Sequence, residues 1–365
     1  MKRLKLSILL GIYVFSFLKA QENVNNIQLN NAQPAYRTTI QIPDVGEFKV
    51  LKGDFHMHTI FSDGNVWPTV RVQEAWREGL DVISITDHIE YLPHQEYLKM
   101  DHNTSYNLAK EEARKHNLLL VKGTEITRNM PPGHINAFYI ADANRIDIKK
   151  PELAFDMVKE QNGLMIWNHP GWKAQQPDTC LIYDIHKKLI QERQLHGMEV
   201  ANHTEWYPIV LQWCIDNKLA VFANSDSHQP VAYSFDLKNN HRPMTLLLTR
   251  EHSLEGVRQA IESARTIAWF DKQLAGPEKL LKQLYEACVK VKRIDHANKK
   301  PIFELTNKSD LTFCLVDNNS DQAEPVSYIL RPRTTIHIHV KDDQKVVYTL
   351  SNCHIGMGKN LSIKL

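Results

Sequence analysis

Cysteine is scarce in this 365-residue chain. The five residues Cys180, Cys214, Cys288, Cys314 and Cys353 are far apart and form no CxxC pair. That spacing supplies neither a zinc knuckle nor a disulfide framework. Buried thiols account for them, or one bridged pair of unspecified membership in an oxidising compartment. An excess of one charge is also lacking, with 44 Lys and Arg against 42 Asp and Glu, so nothing points to a nucleic-acid partner. No internal repeat or low-complexity tract occurs, and no apolar run reaches the roughly 20 residues of a membrane span. Hydrophobic residues make up 42% and charged residues 24%, ordinary values for a folded globular protein that exclude wholesale disorder. What the chain does have in number is histidine, 18 residues.

Residues 1–5 carry Lys2, Arg3 and Lys5, and residues 6–18 form an apolar stretch interrupted only by Ser7, Gly11 and Ser16. Lys19 and Ala20 then precede Gln21. This is the pattern of a secretory signal peptide over residues 1–20, so a periplasmic or secreted protein is expected, with no membrane attachment after cleavage. No cysteine lies near the cleavage point to carry a lipid anchor. Removing this segment takes away four basic residues and no acid, turning a formal +2 into −2. Residues 21–48 follow as a polar leader.

From about residue 49 short apolar runs recur at 48–57, 82–86, 118–121, 164–167, 198–201, 219–223 and 244–249, each rich in Val, Ile, Leu or Phe. Such runs suit strands buried on both faces. Helical patterns separate them at 70–78 after Pro68, 105–116 with Ser105 as N-cap, 151–161 with Pro151 in the first turn, and 254–264 after Ser253. Alternation of this kind predicts a parallel α/β sheet, and seven units fit a distorted (β/α)7 TIM-like barrel over residues 49–276. Residues 277–300 read as a connecting segment, with an amphipathic helix at 277–289. Residues 301–365 alternate with period two and predict a small antiparallel β module.

The histidines and acids cluster where the strands end: His56-Met57-His58 with Asp63, then Thr86-Asp87-His88, Glu125, His134, Asn168-His169 and Asp226-Ser227-His228. In extended chain, i and i+2 share a face, so His56 pairs with His58, and Asp226 with His228 if the chain stays extended there. In parallel α/β folds the carboxyl ends of strands gather on one rim, where ligands converge. Six imidazoles and three carboxylates there would be costly without a cation. Their chemistry suits Zn, Mn or Fe, and their number implies two or three ions. A water shared between two such ions loses its proton near neutral pH and becomes a nucleophile. His337-Ile338-His339 repeats the spacing without other ligand types and reads as a solvent face. The remaining histidines read as surface or packing residues. Asp87 and Asn168 orient ligands or cap turns, and Trp172, Lys173 and His203 lie just past strand ends as substrate contacts or surface residues.

HMHTIFSDG (56–64), SITDH (84–88), KGTEIT (122–127), GHIN (133–136), NHP (168–170) and NSDSH (224–228) resemble, in order and spacing, the motifs of the PHP (polymerase and histidinol phosphatase) domain family. The likeness covers about residues 49–270. It implies a metal-dependent phosphoesterase with a trinuclear site, hydrolysing a phosphomonoester or phosphodiester. By that resemblance His56, His58, Glu125 and Asp226 hold one metal. Glu125 bridges to a second with His134 and His169, and Asp63, His88 and His228 hold the third. Asp226 and His228 would be catalytic, with Lys173 and His203 touching substrate. Asp63 stands where some members have histidine, which bears on metal preference. An amidohydrolase also begins with HxH but expects a bridging lysine where Glu125 stands. A metal-binding module without catalysis is the reading from outside the enzymes. The expected partner is a small phosphorylated substrate; the role of the β module stays open among lid, oligomer contact and surface-binding appendage.

Overall fold

The computed structural model describes residues 36–295, 301–317, 326–340 and 347–365. The signal-like segment, most of the polar leader and His296 lie outside these residues. The apolar runs become short strands: β1 Lys49–Asp54, β2 Val82–Ile85, β3 Leu119–Ile126, β4 Ile135–Phe138, β5 Leu164–Trp167, β6 Leu195–Asn202, β7 Glu205–Trp206, β8 Ala220–Asn224, β9 Met244–Thr249, β10 Thr266–Phe270 and β11 Gln273–Ala275. β2 (VISI), β4 (INAF), β5 (LMIW) and β8 (AVFAN) are buried at every position, as strands covered on both faces must be.

Helices α1 Pro68–Arg77, α2 Thr104–Lys115, α3 Pro151–Glu160, α4 Asp184–Gln191, α5 Pro208–Asn217, α6 Val231–Ser234, α7 Leu254–Glu262 and α8 Glu278–Cys288 complete the α/β part. Proline opens α1, α3 and α5, where its missing N–H costs nothing. Ser253 caps α7 by accepting from Gly256 N at 2.9 Å. Ser105 does not cap α2: it lies inside the helix, and its hydroxyl donates to Asp87 instead.

The sheet departs from the all-parallel expectation. β1–β2, β2–β3, β5–β6 and β6–β8 are parallel, whereas β4 runs antiparallel to both β3 and β5, and β9 antiparallel to β1 and β10. β4 begins inside GHIN, at Ile135, and at four residues is too short to stand out by pattern. The ladder also does not close: among the described residues no strand pairing joins β8 to β9 or β10. The edge of β8 is met by side chains instead. Val221 N donates to Thr266 Oγ1 at 2.8 Å and Ala223 N to Thr245 Oγ1 at 3.0 Å, and Thr245 Oγ1 donates to Ala223 O at 3.1 Å. The sheet therefore curls until the β8 edge faces β9 and β10. Phe55, just past β1, packs edge-on against Phe138 of β4 and Phe222 of β8, with centroids 5.7 and 5.5 Å apart.

Downstream strands β12 Val289–Ile294, β13 Ile302–Asn307, β14 Phe313–Asp317, β15 Ser327–Leu330, β16 Thr335–His339, β17 Val347–Gly356 and β18 Lys359–Lys364 follow α8. β12, β13 and β16 make a separate three-stranded antiparallel sheet, and β12 begins within the segment read as a connector. β17 pairs parallel to β11, Leu274 opposite Cys353 and Ala275 opposite His354, so the C-terminal strands extend the main sheet. His337 and His339 are exposed on β16, and His337 stands 3.3 Å from Glu304.

Candidate metal centre

At the rim, the segments after β1 and β8 are hydrogen-bonded neighbours: Asp226 N donates to His56 O at 2.9 Å and His58 N to Ser227 O at 3.0 Å. This contact brings the HxH and DxH motifs together. His56 and His58 both turn inward, with Nε2 atoms 3.1 Å apart. The chain does not stay extended at Asp226, where φ is +49°, and His169 has φ +29°. These left-handed turns, uncommon outside glycine, redirect both side chains off the strand ends, so Asp226 and His228 meet the site through a bend rather than a shared strand face. Gly64 is required in the SDG loop, because a Cβ there would sit 2.6 Å from the backbone carbon of His58.

All nine ligand-type residues come together. They fall into four overlapping groups whose donor atoms lie within 4.8 Å of one another: His58, Asp63, His88 and His228; His56, His58 and Glu125; His56, His169 and Asp226; His88, Glu125 and His134. Glu125 Oε2 is 3.2 Å from His56 Nε2 and 3.3 Å from His58 Nε2, while Asp226 Oδ1 is 3.2 and 3.1 Å from the same atoms. Asp63 Oδ1 stands 3.4 Å from His88 Nε2 and 3.3 Å from His228 Nε2. His169 groups with Asp226 and His56, and its Nε2 also stands 4.0 Å from Glu125 Oε1, the oxygen beside His134.

The geometry fits cations. Glu125 Oε1, His134 Nδ1 and Asp226 Oδ1 are buried without a hydrogen-bond partner, although Glu125 Oε1 and His134 Nδ1 are only 2.7 Å apart. Buried polar atoms that crowd together without bonding one another are costly unless something positive satisfies them. The electrostatics agree. Burial works to raise the Glu125 and Asp226 pKa values, but the surrounding imidazoles outweigh it and hold both carboxyls well below their usual range. Burial likewise opposes the shift at Asp63, yet His228, His58 and His88 draw it down to about 2. For His58, burial and then the neighbouring His88 and His228 push the pKa down to about 3. His88 is raised to about 9, since Glu125 and Asp63 outweigh burial. Carboxylates held ionised in a buried cluster of imidazoles attract positive charge, from protons or from metal ions, and with the unsatisfied atoms above they fit a cation site.

A cavity of about 460 Å³ opens over the cluster, and its wall includes Tyr91, Trp172, Asn202, His203 and Glu205. The Trp172 ring lies 5.3 Å from that of His169 and 5.7 Å from that of His134. Lys173 is exposed and outside the lining. No lysine or arginine lines the cavity among the described residues.

The chain has a solved relative. It is 41% identical, with a TM-score of 0.87 over 92% of this chain and 99% of the other, to a two-domain protein of Bacteroides vulgatus containing a predicted PHP-like metal-dependent phosphoesterase. This chain belongs to the PHP-like metal-dependent phosphoesterase family. A stretch of 87 residues is also 33% identical to an uncharacterized protein of Methanocaldococcus jannaschii, 23% of this chain and 37% of that one. The chain thus matches just over a third of that curated relative's length. No family model matches the chain.

Sequence reasoning missed one residue that supports the centre of this PHP-like protein. Glu199, fully buried on β6, lies between Met198 and Val200. Its Oε1 meets His56 Nδ1 at 2.8 Å and accepts from Asn224 Nδ2 at 2.9 Å. Its Oε2 accepts from His169 N at 2.7 Å and Asn202 Nδ2 at 2.8 Å. A carboxylate accepts all four, so His56 donates from Nδ1 and presents Nε2 to Glu125 and Asp226. The available signal was an acid inside the apolar run Met198–Ala201. Asp87 ties the loop behind His58, accepting from Thr59 N at 2.6 Å and Ser62 Oγ at 2.9 Å, and Ser62 Oγ is 3.3 Å from His58 Nδ1. Both side-chain polar atoms of Asn168 are buried without partners.

Proposed function

We propose that this protein is an exported phosphoesterase that hydrolyses a small phosphomonoester or phosphodiester with two or three divalent ions, zinc, manganese or iron. The observation that carries the reading is the convergence of nine ligand-type side chains around buried, unpaired atoms of Glu125, His134 and Asp226, in a chain of the metal-dependent phosphoesterase family. His56, His58, Glu125 and Asp226 would hold one ion, Glu125 with His134 and His169 a second, and Asp63, His88 and His228 a third. Bound ions of this kind activate water and neutralise phosphate oxygens.

The chain's own residues do the rest. Glu199 sets the ring of His56, Thr127 Oγ1 meets His88 Nδ1 at 2.6 Å, and the Ser62 hydroxyl steadies His58. Asp226 and His228 would meet the reacting phosphate, and Trp172 and Tyr91 line the cavity over the cluster. A bridging lysine, the mark of the amidohydrolase alternative, has no counterpart among the described lining residues. Export rests on the signal-like residues 1–20, and the near-neutral charge favours neither nucleic acid nor membrane as partner. No described helix is long and apolar enough to cross a membrane.

Elemental analysis paired with p-nitrophenyl phosphate and bis-p-nitrophenyl phosphate assays, with and without added manganese, tests this. We expect two or three metals per chain and turnover of at least one ester. His56→Ala or Asp226→Ala should lose metal and lower turnover by roughly 100-fold or more while circular dichroism stays unchanged. Full activity in either variant, or a chain that binds no metal, would overturn the reading.

A further inference from the structure

One carboxylate in the cavity belongs to none of the metal-ligand groups. Glu205 sits on β7, whose pairing with β6 places it opposite Asn202 across a turn at His203 and Thr204. Directly paired residues share one face of a hairpin. Asn202 faces the centre, since its amide donates to Glu199, so Glu205 faces it too. Both line the cavity. The Tyr207 hydroxyl donates to Glu205 Oε2 and fixes the carboxylate from behind. The Tyr207 ring is itself held, as a Cβ on Gly171 would lie 2.6 Å from its Cδ1. Next along the strand, Trp206 packs on Phe270 and His354, centroids 4.9 and 5.3 Å away, which anchors β7 to the sheet. Glu205 is therefore a positioned charge. Among the described residues no lysine or arginine lines the cavity around it.

We propose that Glu205 selects the alcohol half of the substrate: the site takes a phosphoester whose alcohol carries a hydrogen-bond donor, an ammonium above all, and no second anion. This deepens the phosphoesterase reading and rests on it. With the phosphate on the metal side, the esterified group must extend into the rest of the cavity. The wall there offers a carboxylate, the Thr204 hydroxyl, the His203 imidazole and the rings of Trp172 and Tyr91, and among the described residues no lysine or arginine that would receive a carboxylate or a further phosphate. A charged acceptor with a matched donor forms the stronger class of hydrogen bond, whereas an anion brought beside Glu205 meets like-charge repulsion in a half-enclosed space.

The test uses the metal-loaded protein and three esters that differ in the alcohol: O-phosphoethanolamine, glycerol 2-phosphate and 2-phosphoglycolate. The ratio of kcat/KM for phosphoethanolamine to that for phosphoglycolate is expected to be large in the wild type. It should fall by roughly 10- to 100-fold in Glu205→Gln, which keeps an acceptor for Tyr207 while removing the charge. A fall confined to phosphoethanolamine identifies ammonium as the recognised donor; an equal fall with glycerol 2-phosphate identifies a hydroxyl. A ratio unchanged by Glu205→Gln would overturn the proposal. Calorimetric titration of the same esters supplies a reading independent of turnover, and equal affinities in wild type and variant would overturn it as well. Failure of the underlying reading looks different, since no ester at all, p-nitrophenyl phosphate included, would then be turned over by the metal-loaded wild type.

Discussion

Glu199 ties together His56, His169, Asn202 and Asn224 from a buried position outside the cavity lining. Four donors converge on its two oxygens, and an amide cannot accept from all of them, because its NH₂ would face a donor. Glu199→Gln should therefore loosen His56 and lower metal affinity by roughly 10- to 100-fold, with a smaller loss of fold stability. Metal content after dialysis at graded free zinc measures this, and retention equal to wild type would remove Glu199 from the account. The ligands themselves were legible as residues, because imidazole and carboxylate at strand ends are rare without a purpose. Glu199 was not, since one acid within an apolar strand looks the same in sequence whether it is a buried partner or an edge residue facing water. The partner that makes the difference, His56, is 143 positions away.

The elements carry a second lesson at the seam of the sheet. β8 satisfies two of its edge amides with the hydroxyls of Thr245 and Thr266 rather than with a neighbouring strand. Thr266→Val keeps the shape and removes the acceptor, leaving the buried Val221 N–H unpaired. The expected loss is about 1–3 kcal/mol, visible as a lower urea midpoint, and Thr266→Ser should recover much of it. A valine variant as stable as wild type would mean that water already serves Val221. Most strands and helices were readable from apolar runs, proline starts and the Ser253 cap. Their directions were not. The antiparallel course of β4 and β9 depends on which strands lie beside them, and a four-residue apolar run reads the same in either direction. Backbone at Asp226 escaped for a related reason: nothing in NSDSH announces a φ of +49°, which only the contact with the strand end at His56 imposes.

Across the whole molecule, residues 37–365 form one compact unit, in which the C-terminal strands share a core with the site-bearing sheet. β17 pairs with β11, and Leu281, Leu284, Tyr285 and Cys288 of α8 are buried in the same cluster as Tyr348, Leu350, Cys353 and Leu361. A chain ending at residue 276 would expose the β11 edge and strip apolar cover from β10 and β11. It should aggregate or lose cooperative unfolding, whereas the full chain is expected to melt in one transition. A truncated chain that melts like the intact one and keeps its metals would show that the strands are an appendage. The ligand inventory, the strand–helix alternation and the family likeness were written in local order along the chain, because each depends on residues within a few positions of one another. Which strands run antiparallel, how the β8 edge meets β9 and β10, which carboxylate braces His56 and which one faces the cavity depend on contacts between distant segments, and only the packed chain decides those.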